Sequence, residues 1–181
     1  MFGNQQYKII FTGPVGAGKT SAIKALSDIE PILTEQLATD EVANRKAETT
    51  VAMDYGSMKL DKQVRIHLYG TPGQKRFDFM WDILTDGGIG LVLLLDNGSK
   101  NPIDDMSYYI NAFSGFLQDH KLVVGINFMD QNPALTIDHY ATELRKIGIR
   151  PPVFEVDCRE YNDVSMLVQS LIYCCDPWLG K

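Results

Sequence analysis

The sequence has little cysteine, no long apolar run and fewer basic than acidic residues. Its three cysteines, two of them adjacent, make no disulfide framework. The longest apolar run, Ile89 to Leu95, is far shorter than the roughly 20 residues that a membrane-spanning helix needs. The net charge of −6 argues against broad nucleic-acid binding, because a phosphate backbone attracts clustered lysine and arginine.

Targeting patterns are also missing from both ends of the sequence. The first residues lack the basic and apolar regions of a secretory signal, and neither end carries a lipidation motif. We therefore expect a cytoplasmic protein with no direct membrane anchor and no nucleic-acid partner. The composition is near the globular average and 181 residues suit one domain, so we expect residues 1–181 to form a single domain.

Apolar runs alternate with helical patterns along the chain. The predicted strands are Tyr7 to Thr12, Val51 to Leu60, Val64 to Tyr69, Leu91 to Leu95, Leu122 to Ile126 and Val153 to Val156. The predicted helices are Thr20 to Ile29, Phe77 to Thr85, Asp104 to Gln118, Thr136 to Ile147 and Val164 to Cys174. This alternation predicts an α/β three-layer sandwich, with helices on both faces of a six-stranded, mostly parallel sheet. One antiparallel edge hairpin is expected around Asp61-Lys62-Gln63.

Polar and glycine-rich segments follow the predicted strands. Ligands of such sheets bind beyond the carboxyl ends of the strands, so we expect these segments to converge on one edge of the sheet. The polar stretch from Glu30 to Thr49 has little periodicity and reads as a long connection. Because long connections in compact domains are uncommon unless they are functional, it is the first candidate for a mobile loop.

The segment Gly13-Pro14-Val15-Gly16-Ala17-Gly18-Lys19-Thr20 fits the phosphate-binding pattern G-x-x-x-x-G-K-[ST] between a strand and a helix. Its glycines let the backbone turn N–H groups inward around phosphates, and the helix N-terminus adds positive potential. We expect Lys19 to contact the β- and γ-phosphates, Thr20 to ligate magnesium, and Ser21 to belong to the same site. The alternative is an ordinary glycine turn that caps a helix, which leaves the full motif unexplained.

Two further segments, Thr49 to Gly56 and Gly70 to Phe77, stand where Ras-like small GTPases carry their two switches. The resemblance covers nearly the whole chain and implies the P-loop NTPase fold and a GTP/GDP switch that uses Mg²⁺. Thr50 resembles the switch I threonine that senses the γ-phosphate and magnesium. Gly73 and Gln74 resemble the switch II glycine and the glutamine that positions the attacking water.

Gly70 departs from most of the superfamily, which has an aspartate there that supports magnesium. A proline-glycine-glutamine switch without this aspartate is more similar to the bacterial gliding-motility GTPases and to relatives encoded beside Roadblock-domain partners. Protein effectors and regulators are expected of such a switch, and this branch implies that Roadblock-domain proteins are among them. Besides Gln74, Arg45 and Arg76 are candidates to complete catalysis, the alternative for each arginine being a solvated surface charge.

The sequence Asn127-Phe128-Met129-Asp130 follows a predicted strand and resembles the guanine motif Asn-Lys-x-Asp, with phenylalanine in place of lysine. Asp130 would accept the guanine N1 and N2 hydrogens, which adenine lacks. Asp157-Cys158-Arg159 follows the last strand, where the family has a short loop whose backbone touches the base. The alternative for both segments is a polar loop that ends a strand.

An ATP-using kinase or ATPase is a competing interpretation. Asp96, at the end of the apolar run from Gly90, would then be the carboxylate that supports magnesium. Against it, Thr71 to Gln74 and Asp130 would have no role, and no lid for an acceptor substrate is evident.

A nucleotide-bound scaffold that does not hydrolyse is the third interpretation, which Gly70 and Phe128 motivate. In the switch, by contrast, hydrolysis would remove the γ-phosphate contacts of Thr50 and Gly73 and release both loops. Slow turnover and acceleration by a partner are expected of the switch, because Gly70 removes one support of the magnesium ion.

Overall fold

The computed structural model describes residues 5–33, 53–60, 63–74 and 81–175. Within these residues the strands are β1 (Gln5–Thr12), β2 (Asp54–Lys59), β3 (Val64–Gly70), β4 (Gly90–Asp96), β5 (Lys121–Asn127) and β6 (Val153–Glu155). The helices are α1 (Lys19–Leu26), α2 (Trp81–Thr85), α3 (Pro102–Ala112), α4 (Ser114–Leu117), α5 (Ile137–Lys146) and α6 (Tyr161–Cys175), with a 3-10 turn at Met129–Gln131.

All six strands form one sheet in the order β2-β3-β1-β4-β5-β6. The pair β2–β3 is antiparallel and every other neighbouring pair is parallel. A short turn can only reverse the chain into an antiparallel neighbour, whereas parallel neighbours need a longer crossover such as a helix. The predicted α/β fold, with six strands and one antiparallel edge hairpin, is confirmed.

The core lies in two layers, one on each face of the sheet. On β1, Ile9 and Phe11 pack with the buried residues of α1 and α6, whereas Ile10 packs with those of α3 and α5. β4 is buried along nearly its whole length because both of its faces are covered, which explains its continuous apolar run.

The largest differences from the predicted helices are in three of them. The helix expected from Asp104 to Gln118 is divided at Phe113, whose backbone (φ −95°, ψ 13°) leaves the α-helical region. α1 ends at Leu26, because Ser27 is extended and its hydroxyl donates to the Ile29 carbonyl at 2.8 Å. α6 begins three residues earlier than expected, at Tyr161.

The register of the edge hairpin positions part of the site. Asp54, the first residue of β2, lies opposite Gly70, the last residue of β3. Directly opposite residues in an antiparallel pair point to the same face of the sheet. Asp54 and Gly70 therefore share the face that α1 covers, close to the point where β1 leads into α1.

A cavity of about 620 Å³ lies at the amino ends of β5 and β6, between α3, α4 and the segment 147–152. None of the residues predicted to bind nucleotide lines it. Among the helices that the structure describes, none combines the length and the apolar character needed to cross a bilayer.

Candidate functional site

The turn from Gly13 to Gly18 joins β1 to α1 and depends on its glycines. All three have positive φ, from 84° to 138°, which L side chains rarely adopt. A Cβ atom added to Gly13 would lie 2.0 Å from the carbonyl oxygen of Leu94 on β4, so a side chain there would collide with the sheet. Val15 and Gly16, at the tip, are exposed. The turn is tight against the sheet and open towards solvent.

Lys19, the first residue of α1, is folded over the inner side of this turn. It is 8% exposed, and its ammonium donates to the carbonyl oxygens of Gly13 at 2.8 Å and Pro14 at 2.7 Å. Burial lowers the pKa of Lys19 to about 8, although the nearby Asp54 acts in the opposite direction. A phosphate bound in the turn would favour the charged lysine, because an adjacent anion stabilises a buried ammonium.

The next residue, Thr20, donates its hydroxyl hydrogen to the Asp54 carboxylate. A Cβ atom on Gly70 would lie 3.2 Å from the Cβ of Asp54 and 2.9 Å from Cδ1 of Ile23, so glycine leaves room for the aspartate. From the sequence we expected Thr20 to lack carboxylate support because position 70 is glycine. The structure instead brings a carboxylate from the neighbouring strand. Sequence reasoning missed Asp54, although the expected turn at 61–63 already places it opposite Gly70.

Thr20 and Asp54 fit a magnesium ion that binds together with phosphate. Mg²⁺ usually takes one or two protein oxygen ligands and completes its shell with phosphates and water. In the described part of the chain, no group of three or more histidine, cysteine or acidic residues could hold a metal ion without such help.

Asp96, the carboxylate of the ATPase alternative, is engaged elsewhere. It ends β4 and its Oδ1 accepts the backbone N–H of Gly98 at 2.8 Å, within its own turn. The carboxylate that contacts Thr20 is thus on β2 and not on β4.

The segment 71–74 lies directly on the glycine-rich turn. Its first residue is tied to β1, because the Thr71 N–H donates to the Phe11 carbonyl at 2.8 Å and the Thr71 and Thr12 hydroxyls are hydrogen-bonded at 2.8 Å. A Cβ atom on Gly73 would lie 2.6 Å from the backbone nitrogen of Val15 and 2.8 Å from the ammonium nitrogen of Lys19. The contact is so close that only glycine fits.

A second tie to this segment comes from α3. The Tyr109 hydroxyl donates to the carbonyl of Gly73 at 2.9 Å, and the Tyr109 side chain is fully buried. Gln74, the last described residue before a gap, is exposed. Three other expected site residues, Arg45, Thr50 and Arg76, lie outside the described residues.

Asn127 connects the end of β5 to the glycine-rich turn. Its Nδ2 donates to the carbonyl of Ala17 at 3.3 Å, and its Oδ1 accepts the N–H of Phe128 at 3.0 Å. Phe128 takes a left-handed backbone conformation (φ 57°), which starts the 3-10 turn containing Asp130. Asp130 is exposed at the surface of this turn.

The loop after β6 meets the glycine-rich turn beside Asn127. A Cβ atom on Gly18 would lie 2.8 Å from Sγ of Cys158, and Cys158 itself is 1% exposed. Burial raises the pKa of the Cys158 thiol to about 12. The guanidinium of Arg159 donates to both carboxylate oxygens of Asp157, at 2.9 and 2.6 Å, and holds the Asp157 pKa at about 2.

These contacts bring four sequence-predicted segments together at the carboxyl ends of the strands: the turn after β1, the segment after β3 and the loops after β5 and β6. The turn with Lys19, Thr20 and Asp54 supplies the cation, hydroxyl and carboxylate that suit a magnesium-bound polyphosphate. Asn127 and Cys158 meet the same turn at Ala17 and Gly18.

Comparison with known proteins agrees with this geometry. The family described as "Conserved hypothetical ATP binding protein" matches residues 11–146, well over half of the chain. An uncharacterized protein of Methanocaldococcus jannaschii is 33% identical over 91 residues, which are 50% of this chain and 51% of that protein. A probable Rab-related GTPase of Acanthamoeba polyphaga mimivirus is 24% identical over 114 residues, 60% of this chain and 46% of that protein.

Ras-related protein Rab-12 of Homo sapiens is 23% identical over 127 residues, 68% of this chain and 47% of that protein. The chain spans about half the length of the curated relatives it matches. The similarity to Rab-related GTPases supports the wider resemblance drawn from the two switch segments, but it does not single out a bacterial branch. By the extent of the family match, the chain belongs to the family of conserved hypothetical ATP binding proteins and is a P-loop nucleotide-binding protein.

Proposed function

We propose that the protein is a GTP/GDP switch with slow hydrolysis that a partner protein stimulates. The observation that carries the proposal is the position of Gly73 against the backbone of Val15 and the ammonium of Lys19. A γ-phosphate that enters or leaves beside Lys19 must change this contact. Gly73 is also joined to α3 through Tyr109, so the change would reach beyond the site.

The residues of the phosphate side have distinct roles in this proposal. Lys19 and the amides of the turn would hold the β- and γ-phosphates, and Thr20, supported by Asp54, would hold magnesium together with Thr50. The ion would neutralise charge on the phosphates. Gln74 follows Gly73 directly and would orient the attacking water. Arg45 and Arg76 remain further candidates for catalysis.

The base side is proposed to read guanine. Asp130 would accept the N1 and N2 hydrogens of guanine, and the backbone at Cys158 would contact the base. Asn127 supports this assignment because it ties the turn of Asp130 to the phosphate loop. Relatives whose names identify them as Rab-related or Ras-related proteins support guanine as well.

A specific observation favours ATP as the second candidate nucleotide. The matching family is described as ATP binding, and Phe128 stands where the guanine motif has lysine. Phe128 would offer only apolar packing to a base, which does not distinguish guanine from adenine. The ATP interpretation keeps the phosphate site unchanged and alters only the role of Asp130.

The cellular setting belongs to the proposal too. A switch acts through protein effectors and regulators, and the resemblance to the gliding-motility branch suggests Roadblock-domain proteins among them. We also propose a cytoplasmic location. A binding assay with a purified Roadblock-domain protein, in the presence of GTP and of GDP, would test the proposed partner.

Nucleotide competition tests the proposed function. GTP, GDP and ATP would each compete with a fluorescent guanine nucleotide in the presence of Mg²⁺, and phosphate release would then be measured for the native protein. Gln74→Leu is expected to bind GTP normally and to lose phosphate release. Gln118→Leu, an exposed glutamine just after α4, is the matched control and should behave like the native protein.

Each alternative gives a different result in these assays. Preference for ATP over GTP would overturn the guanine assignment and leave the ATPase interpretation. Tight GTP binding without phosphate release, even with a partner present, would favour the non-hydrolysing scaffold. Turnover as fast as that of a dedicated metabolic enzyme would contradict the switch.

A further inference from the structure

The turn that carries Asp130 is held by a buried asparagine. Asn97 follows β4 directly and is fully buried. Its side-chain Nδ2 donates to the carbonyl oxygen of Asn132 at 2.9 Å and to that of Met129 at 3.3 Å. Its backbone N–H donates to the carbonyl of Asn127 at 3.0 Å. Asn97 is thus hydrogen-bonded to a residue before the turn, to one within it and to one after it.

A tyrosine fixes the orientation of this asparagine. The hydroxyl of Tyr140, on α5, donates to Oδ1 of Asn97 at 2.8 Å, and Tyr140 is fully buried. Carbonyl oxygens only accept hydrogen bonds, so Nδ2 of the amide must face Met129 and Asn132. The hydroxyl of Tyr140 supplies the donor that Oδ1 then needs. Each polar atom of the Asn97 side chain therefore has a partner in a single orientation.

The same turn is also packed against the phosphate site. A Cβ atom on Gly98 would lie 2.1 Å from Oε1 of Gln131, so the turn sits directly on the chain that leaves β4. On the other side, Asn127 donates to the Ala17 carbonyl in the glycine-rich turn. A continuous series of contacts therefore runs from α5 through Asn97 and the Asp130 turn to the phosphate loop.

We infer that Asn97 and Tyr140 are positioning residues that set nucleobase selectivity. The inference rests on the proposed function, in which Asp130 reads the base. Neither residue contacts the base, but together they fix the distance from the Asp130 backbone to the phosphate loop. Hydrogen bonds weaken steeply as distance and angle change, so a displaced turn would lose contacts to the base and keep those to the phosphates.

Tyr140→Phe tests the inference with little change in shape. Affinities for GDP, inosine diphosphate and ADP would be measured by competition with a fluorescent nucleotide in Mg²⁺. Loss of one buried hydrogen bond is expected to reduce the ratio of GDP to ADP affinity by roughly two- to tenfold. Asn97→Asp, which turns a carboxylate towards two carbonyl oxygens, is expected to reduce it further.

Tyr109→Phe is the matched control. It removes the hydroxyl of another fully buried tyrosine, but this hydroxyl donates to Gly73 on the phosphate side. Because GDP and ADP carry the same phosphates, the control should keep the native ratio of their affinities. Thermal unfolding of each variant would show whether it folds. If Asn97→Asp does not fold, Tyr140→Phe alone still tests the inference.

The outcomes separate the inference from the function on which it rests. If the native protein prefers ADP, the guanine assignment is overturned. In that case, a changed ratio of GDP to ADP affinity in Tyr140→Phe would still support a positioning role for Tyr140. An unchanged ratio in folded variants would overturn the inference, and so would an equal loss of affinity for all three nucleotides. A native protein without base preference would overturn both.

Discussion

At the scale of the residue, Asp54 and Gly70 must be interpreted together. The resemblance to small GTPases calls for an aspartate at position 70, and its replacement by glycine suggested a site with less support for magnesium. The structure brings Asp54 to Thr20 from the opposite strand, and Gly70 leaves the space that it occupies. The carboxylate that is missing at position 70 is thus replaced by the carboxylate of Asp54.

Asp54→Asn is predicted to weaken magnesium binding. The amide has nearly the same shape as the carboxylate but lacks its charge, so it supports a metal-bound hydroxyl poorly. Loss of such a supporting group typically costs about 10- to 100-fold in metal affinity. Titration of Mg²⁺ against GDP binding should show a rise of this order in the half-saturating concentration.

Asp28→Asn is the control for this change. Asp28 also accepts a hydrogen bond from β2, because the backbone N–H of Lys59 donates to its carboxylate at 2.6 Å. Asp28 is exposed, however, and Lys59 lies at the other end of β2 from Asp54. Its substitution should leave the magnesium titration as in the native protein. Equal curves for Asp54→Asn and the native protein would show that Asp54 does not support the ion.

Cys158 is predicted to resist alkylation in the folded protein. Thiols react as thiolates, and burial raises the pKa of Cys158 to about 12, so almost no thiolate forms at pH 8. Since the pKa is raised, reactivity should appear only as the pH approaches 12 or as the chain unfolds. Iodoacetamide at pH 8 followed by mass spectrometry should find modification at Cys174, which is partly exposed, before Cys158.

A denatured sample is the control, in which all three cysteines should react at similar rates. Rapid modification of Cys158 in the native state would mean that the loop after β6 opens away from Gly18. Because Sγ of Cys158 is so close to Gly18, an adduct there should also displace the phosphate loop and reduce nucleotide binding.

At the scale of the element, α3 connects the segment 71–74 to the aromatic layer of the core. The ring of Trp81, on α2, stacks on Phe113 with centroids 4.9 Å apart and lies 5.3 Å from Tyr109. The indole Nε1 of Trp81 has no hydrogen-bond partner among the described residues.

Tyr109→Phe is predicted to favour GTP over GDP. A Cβ atom on Gly73 would lie 2.8 Å from the ammonium nitrogen of Lys19, so a γ-phosphate between the two residues requires them to move apart, and the Tyr109 hydroxyl opposes movement of Gly73. Loss of one hydrogen bond changes the free energy by about 0.5–1.5 kcal/mol, or roughly two- to tenfold in affinity. Competition with a non-hydrolysable GTP analogue and with GDP should show the ratio shifted towards the analogue.

A native-like ratio in Tyr109→Phe would show that the hydrogen bond does not resist γ-phosphate binding. Tyr140→Phe is the control here, because its hydroxyl belongs to the base side and GTP and GDP share one base. The two tyrosine variants are thus each the control for the other, one for the terminal phosphate and one for the base.

Most elements were predictable because their signals are local. The glycine-rich turn and the buried strands are encoded in consecutive residues, and their identification needs no long-range information. The division of the helix at Phe113 was missed, although Ser114-Gly115 directly follows it and such pairs are common at helix breaks. Asp54 and Asn97 were missed as well, since their contacts with Thr20 and Asn132 depend on how segments distant in the sequence pack together.

At the scale of the whole molecule, the glycine-rich turn contacts chain segments from most of the sheet. Gly13 packs on β4, Gly73 follows β3 after two residues, and Gly18 meets Asn127 at the end of β5 and Cys158 after β6. These segments are far apart in sequence, and the phosphate site is where they meet. A ligand that binds this turn is therefore expected to stabilise the contacts that join these strands.

Nucleotide is accordingly predicted to stabilise the entire described fold. A ligand that binds only the folded state at a hundredfold excess over its Kd adds about 2.7 kcal/mol to the free energy of unfolding. For 181 residues that unfold together, about 1 kcal/mol corresponds to about 2–4 °C in Tm, so GDP with Mg²⁺ should raise Tm by about 5–10 °C. Hydrogen exchange should slow in β4 and β5 as well as in the turn. Protection confined to the turn would contradict coupling of the site to the sheet, and an unchanged Tm at this excess would contradict binding to the folded state alone.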